Sequence, residues 1–157
     1  EFTFKDYKIC ENFIQKISKL WTRWTEDEDR LSMQFIADIV KSMNLKGYIT
    51  VDDLYKFSEN EVINLIENCE DIYIKEAFLK FRNATKKDVY KSDSANDKIY
   101  CTSVKGKKRY INPLVKYKDE VVRIKDVSES ANRAINDFLN MKQHKYIGFN
   151  FEFKPYI

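Results

Sequence analysis

Lys105, Lys107, Lys108 and Arg109 crowd around Gly106, the densest positive charge in the chain, and Tyr110 follows directly. That pattern suits phosphate chemistry. Arg presents a planar fork that grips two oxygens at once, Lys supplies a point charge, and a neighbouring Tyr110 or Tyr100 offers a ring on which a base can stack. Lysines at a strand tip also have a plainer use, since they solvate the tip and discourage edge-to-edge pairing. Other chemistry is sparse. His144 is the only histidine and sits in the polar connector Lys142-Gln143-His144-Lys145, so it reads as a surface or turn residue before a catalytic base. Neither HxxxH, HExxH, GxxxxGK[ST] nor GxGxxG occurs, and three glycines do not build a phosphate-cradling loop.

Carboxylates are plentiful but fall where helices begin. Thr25-Glu26-Asp27-Glu28 and Ser58-Glu59-Asn60-Glu61 have capping-box spacing, in which the hydroxyl and the carboxylate satisfy each other's orphan backbone donors. Asp52 with Asp53 and Glu70 with Asp71 also stand at expected helix starts, where the dipole favours negative charge. The cluster TEDED is therefore a helix start in the first place and a metal site only in the second. Cys10, Cys69 and Cys101 are odd in number, far apart and without CxxC, which favours a reducing, cytoplasmic setting over a zinc site or a disulfide framework.

The elements that position these residues follow from hydrophobic period. Phe4, Tyr7, Ile9, Phe13, Ile14, Ile17, Leu20, Trp21 and Trp24 recur near helical spacing over the first twenty-odd residues. Leu31, Phe35, Ile36, Ile39, Val40 and Met43 define a second helix closed by Gly47. A short helix carries Leu54 and Phe57, another carries Val62 to Ile66, and a fifth runs from Ile72 to Phe81. Residues 86–97 lose the period and read as a polar loop. Lys98 to Val115 then reads as a β-hairpin with the basic cluster at its tip, its arms near 99–104 and 108–112. Further strands are expected near 120–124 and 145–153, with a helix between them that has a capping pattern at Asp126 to Glu129 and whose stripe is Ala131, Ala134, Ile135, Phe138, Leu139 and Met141. The expected fold class is α+β: a helical region over 1–85, the loop 86–97, and a small, mainly antiparallel sheet with one packed helix over 98–157, sharing a core with the helices.

A length of 157 residues, 43% hydrophobic and 34% charged, is enough for a real core. The net charge of +3 is unevenly placed: 15 basic and 18 acidic residues up to Asn96, 13 basic and 7 acidic from Asp97. An anionic partner, a nucleotide or a nucleic acid, is therefore expected at the basic hairpin rather than on the helices. No signal peptide or spanning apolar run appears, so no membrane partner is expected. The chain begins at Glu1 without methionine and reads as a fragment.

The run RLSMQFIADIVKSMNLKGYITVDDLYKFSENEVINLIENC, followed by IKEAFLKF, KGKKRYINPLV and VVRIKDVS, resembles the C-terminal region of HD-domain metal-dependent phosphohydrolases. The similarity is to the bacterial cytosolic group that includes deoxynucleotide triphosphohydrolases, and it covers Arg30 to Leu139. Catalysis in that family depends on an H…HD…D set that grips divalent metal and activates water against a phosphate ester. With one histidine and no His-Asp pair, this chain does not supply that set, so no catalytic or metal residue carries over. The resemblance implies a parent metal-dependent phosphohydrolase in which this piece, inactive and free of cofactor by itself, completes a substrate or effector pocket or an oligomer interface. Its partners would be the missing N-terminal catalytic part and a second copy. The alternative is a binding module, either for nucleic acid through the basic hairpin and aromatic sheet, or for protein through the aromatic first helix.

Overall fold

The computed structural model describes residues 2–156. Helices dominate its first half, and two small three-stranded sheets with further helices complete an α+β protein. The order is β1 (Thr3–Phe4), α1 (Tyr7–Trp24), α2 (Asp27–Leu45), α3 (Val51–Lys56), α4 (Glu59–Glu67), α5 (Ile72–Asn83), β2 (Val89–Ser92), β3 (Tyr100–Thr102), β4 (Leu114–Tyr117), β5 (Glu120–Arg123), α6 (Ile124–Val127), α7 (Glu129–Asn140) and β6 (Tyr146–Phe149). The chain divides into two compact units, each assembled from two separate stretches.

Residues 30–105 and 144–157 form one unit. Its helices start where local chemistry says they should. Thr50 with Asp53 and Ser58 with Glu61 close full capping boxes on α3 and α4, and the Asp71 carboxylate accepts from the Tyr73 and Ile74 amides at the head of α5. Helix α2 ends in a Schellman turn: Gly47 N–H donates to the Asn44 carbonyl and Tyr48 N–H to that of Met43. Gly47 takes the left-handed φ of 79° that this turn requires. The sheet has the order β2-β6-β3, antiparallel throughout, so the latest strand in sequence is the central one. Phe35 of α2 is the hub of the core, with the rings of Phe81, Tyr100, Phe149, Phe151 and Phe153 all within 5.7 Å of its centroid. Most of these pairs meet edge to face, the arrangement that the ring quadrupole favours.

Residues 1–29 and 106–143 form the other unit. Cys10, Ile14 and Trp21 make one buried stripe of α1, which packs against Ala131, Ile135 and Phe138 of α7 and against Val115 and Ile124. Here β1 runs parallel to β4, with Thr3 opposite Leu114, and β4 pairs antiparallel with β5 through a two-residue turn at Lys118-Asp119.

The hairpin expected over Lys98 to Val115 does not form. Its first arm survives as β3, which pairs with β6, but residues 103–113 carry no strand and Leu114–Tyr117 joins a different sheet. The polar groups at the end of this segment are satisfied elsewhere. Arg123 Nη1 donates to the Asn112 carbonyl at 2.8 Å, Lys125 N–H donates to Asn112 Oδ1 at 3.1 Å, and Ile124 N–H donates to the Pro113 carbonyl at 3.0 Å. Pro113 has no N–H to give a ladder. The stretch 86–97 also differs from an open loop: it holds a single 3₁₀ turn at Lys86–Asp88 and then β2, paired from Val89 opposite Phe149 to Ser92 opposite Tyr146. The final strand stops at Phe149, where Phe151 N–H turns back to the Phe149 carbonyl. At the end of α1 the Thr25 hydroxyl donates to the Trp21 and Thr22 carbonyls, so it closes the helix that precedes it.

Candidate functional site

The basic run keeps three of its cations in water and ties down the fourth. Lys105, Lys107 and Arg109 are exposed. Lys108 is half-buried, and its ammonium donates to the Leu139 carbonyl at 2.6 Å and to that of Met141. These are carbonyls at the C-terminal end of α7, where a helix lacks internal donors and the dipole attracts a cation. Lys108 is thus a helix-closing residue. Tyr110, 40% exposed, sets its ring edge-on to Trp21 with centroids 6.4 Å apart, and Trp21 in turn meets Phe138 at 5.6 Å. Tyr100 is buried in the other unit's core, where its hydroxyl donates to Asp38, so its ring has no free face for a base.

Among the described residues no group of three or more His, Cys, Asp or Glu side chains is arranged to hold a metal ion. Asp27, Glu28 and Asp29 of TEDED stand in the first turn of α2. The cysteines are free thiols, and burial pushes those of Cys10 and Cys69 up.

Sequence reasoning missed a single carboxylate held by hydroxyls at the start of α7. Glu11 of α1 accepts from the hydroxyls of Ser128 at 2.7 Å, Ser130 at 2.8 Å and Tyr7 at 3.1 Å, while the Ser128 hydroxyl also accepts from Ala131 N–H as the helix N-cap. The Ser128 and Ser130 hydroxyls, with smaller help from Lys8 and Tyr7, hold the Glu11 carboxyl down at about 2. An open groove of about 710 Å³ runs past it, lined among others by Gln15, Arg133 and Asp137. Only the Ser128 cap has a local signature, because Glu11 lies 117 positions away.

Helix α1 carries a second apolar feature besides its buried stripe. Ile9, Leu20 and Trp24 are 61%, 43% and 59% exposed. At 100° per residue they lie within about 60° of one another, beside the half-buried Phe13 and Ile17. Lys16, Lys19 and Arg23, all exposed, border this line on the side away from the core. Among the described residues no helix is long and apolar enough to cross a membrane. Set against family models, curated proteins and solved structures, the chain finds no match in any of the three.

Proposed function

We propose that this chain is the non-catalytic C-terminal portion of a metal-dependent phosphohydrolase of the HD type, and that it acts by docking. The observation that carries the docking role is the exposed apolar line Ile9, Leu20 and Trp24 on a helix whose neighbouring face already packs on a core. Large apolar side chains grouped on one exposed helix face are typical of a surface that another chain or segment covers. The resemblance over Arg30 to Leu139 supplies the class of parent enzyme, whose divalent metal would be held entirely by the absent H…HD…D part. Free, scattered cysteines support a cytoplasmic setting. The test is to express the complete parent reading frame and measure release of phosphate or triphosphate from deoxynucleoside triphosphates with Mg²⁺ or Mn²⁺, alongside this chain alone. Hydrolysis by the parent and none by the chain is the expected result. A parent frame without an H…HD…D set, or turnover by the isolated chain, overturns it.

A second reading, a phosphate or nucleic-acid contact, is favoured by the exposure of Lys107 and Arg109 next to the half-open ring of Tyr110. Lys108 takes no part in it, because its ammonium is held by α7.

A further inference from the structure

We propose that the occupant of the exposed α1 face is an amphipathic helix with acidic flanks, supplied by a partner protein. This inference rests on the docking role given above and adds the chemistry of the partner. The sequence of α1, YKICENFIQKISKLWTRW, holds four basic residues and one acidic residue. That acid, Glu11, is on the core side and engaged with Ser128 and Ser130. The solvent side therefore presents an apolar line, Ile9, Leu20 and Trp24, bordered by Lys16, Lys19 and Arg23 with no carboxylate of α1 among them.

Three occupants compete for such a face, and its shape and charge separate them. A second copy meeting it α1 to α1 would bring Lys16, Lys19 and Arg23 against their own equivalents, and like charges brought together across an interface cost affinity. A lipid surface needs a broad apolar face to bury in the acyl boundary. The broad face of α1, with Cys10, Ile14 and Trp21, is already taken up by α7, β4 and α6, which leaves a line only one residue wide. Ile9, Leu20 and Trp24, with the half-buried Phe13 and Ile17 between them completing spacings of three and four, make a line about 22 Å long at 1.5 Å per residue, a ridge of the kind that seats in the groove of another helix. Glu or Asp on the flanks of that helix would meet Lys16, Lys19 and Arg23.

The experiment uses fluorescein-labelled helical peptides and this chain, read by anisotropy. One peptide has a leucine line flanked by glutamates, and a second has the same line flanked by lysines. The chain should bind the glutamate peptide at least about tenfold more tightly than the lysine peptide, with affinity falling as salt rises. Two exposed-surface variants, Lys16→Glu/Lys19→Glu/Arg23→Glu and Leu20→Ser/Trp24→Ser, should each weaken binding about tenfold while melting as the parent chain does. Equal affinity for both peptides, or no binding of the glutamate peptide, overturns the inference. So does self-association in sedimentation that Leu20→Ser/Trp24→Ser abolishes, or binding confined to phosphatidylserine vesicles. Self-association would leave the docking role standing and change only its occupant, whereas failure of the parent hydrolysis assay would remove the enzyme reading and leave the peptide result untouched.

Discussion

The hydroxyl of Tyr100 on β3 donates to Asp38 Oδ2 on α2 at 2.7 Å, and Gln34 holds the other carboxylate oxygen at 2.9 Å. The contact spans 62 positions of sequence and joins strand to helix inside the aromatic core. Tyr100 is 2% exposed, and burial followed by the Asp38 carboxylate pushes its phenol far above the usual range. Because the folded value lies above the unfolded one, the contribution is complete below about pH 10 and is lost as pH rises beyond it. Tyr100→Phe should cost about 1–3 kcal/mol at pH 7, by leaving the carboxylate oxygen short of a donor. Urea melts at pH 7 and pH 11 check this, and the gap between parent and variant should shrink at the higher pH.

Glu11 works in the opposite direction. Its carboxyl is held down at about 2 against an ordinary 4.5, so its contribution is complete above pH 4.5 and fades as pH falls toward 2. Glu11→Gln should cost about 1–2 kcal/mol at pH 7. Denaturation at pH 6 and pH 3 should show parent and variant converging at the acid end. A constant gap would mean that the loss comes from packing.

Gly148 is the tightest point of the β2-β6-β3 sheet. A Cβ there would drive into the Tyr100 carbonyl oxygen and lie 3.2 Å from Cys101 Cα, backbone atoms that cannot swing aside. Gly148→Ala should therefore destabilise the chain by about 3 kcal/mol or more, with loss of amide protection in β3 and β6 by hydrogen exchange.

The basic run separates into two classes of residue. Lys108→Met keeps the aliphatic stem but withdraws the ammonium from the Leu139 and Met141 carbonyls, at a cost of about 1 kcal/mol in thermal melts. Lys107→Glu/Arg109→Glu should leave the melting temperature within a degree or two and, if this surface contacts phosphate, weaken nucleotide or RNA binding at least about tenfold. Unchanged binding in that double variant ends the phosphate reading.

The helices were legible because their signals are local. Capping pairs three residues apart at Thr50 and Ser58, the Gly47 stop and the stripe of α2 each act within a turn or two of themselves. The hairpin was misread because alternation marks a strand without naming its neighbour. Tyr100 to Thr102 alternates as expected, yet its partner is β6, more than forty residues on, and turn residues at Gly106 made a nearer pairing look natural. Strand β2 was hidden by the polar residues that follow it, and β1 is only two residues long. At the candidate sites the period and composition of α1 pointed to an aromatic docking helix, but not to which of its apolar residues face solvent, because Ile9, Leu20 and Trp24 stand in the same run as the buried Ile14 and Trp21. Nothing in Lys105 to Arg109 marks Lys108 as the one drawn to a helix end, because the carbonyls that hold it come some thirty residues later.

Discontinuity of both units has a consequence for synthesis on the ribosome. Residues 1–29 emerge ahead of their partners and have no β4 to pair with and no α7 to cover α1 until about residue 140 has followed. Residues 30–105 emerge next, and their sheet waits for β6, the strand that must lie in its middle. Neither core closes until α7 and β6 have followed, so the nascent chain presents the apolar side of α1 and the rings around Phe35 to the cell over that interval, a window in which a holding chaperone has two separate surfaces to grasp.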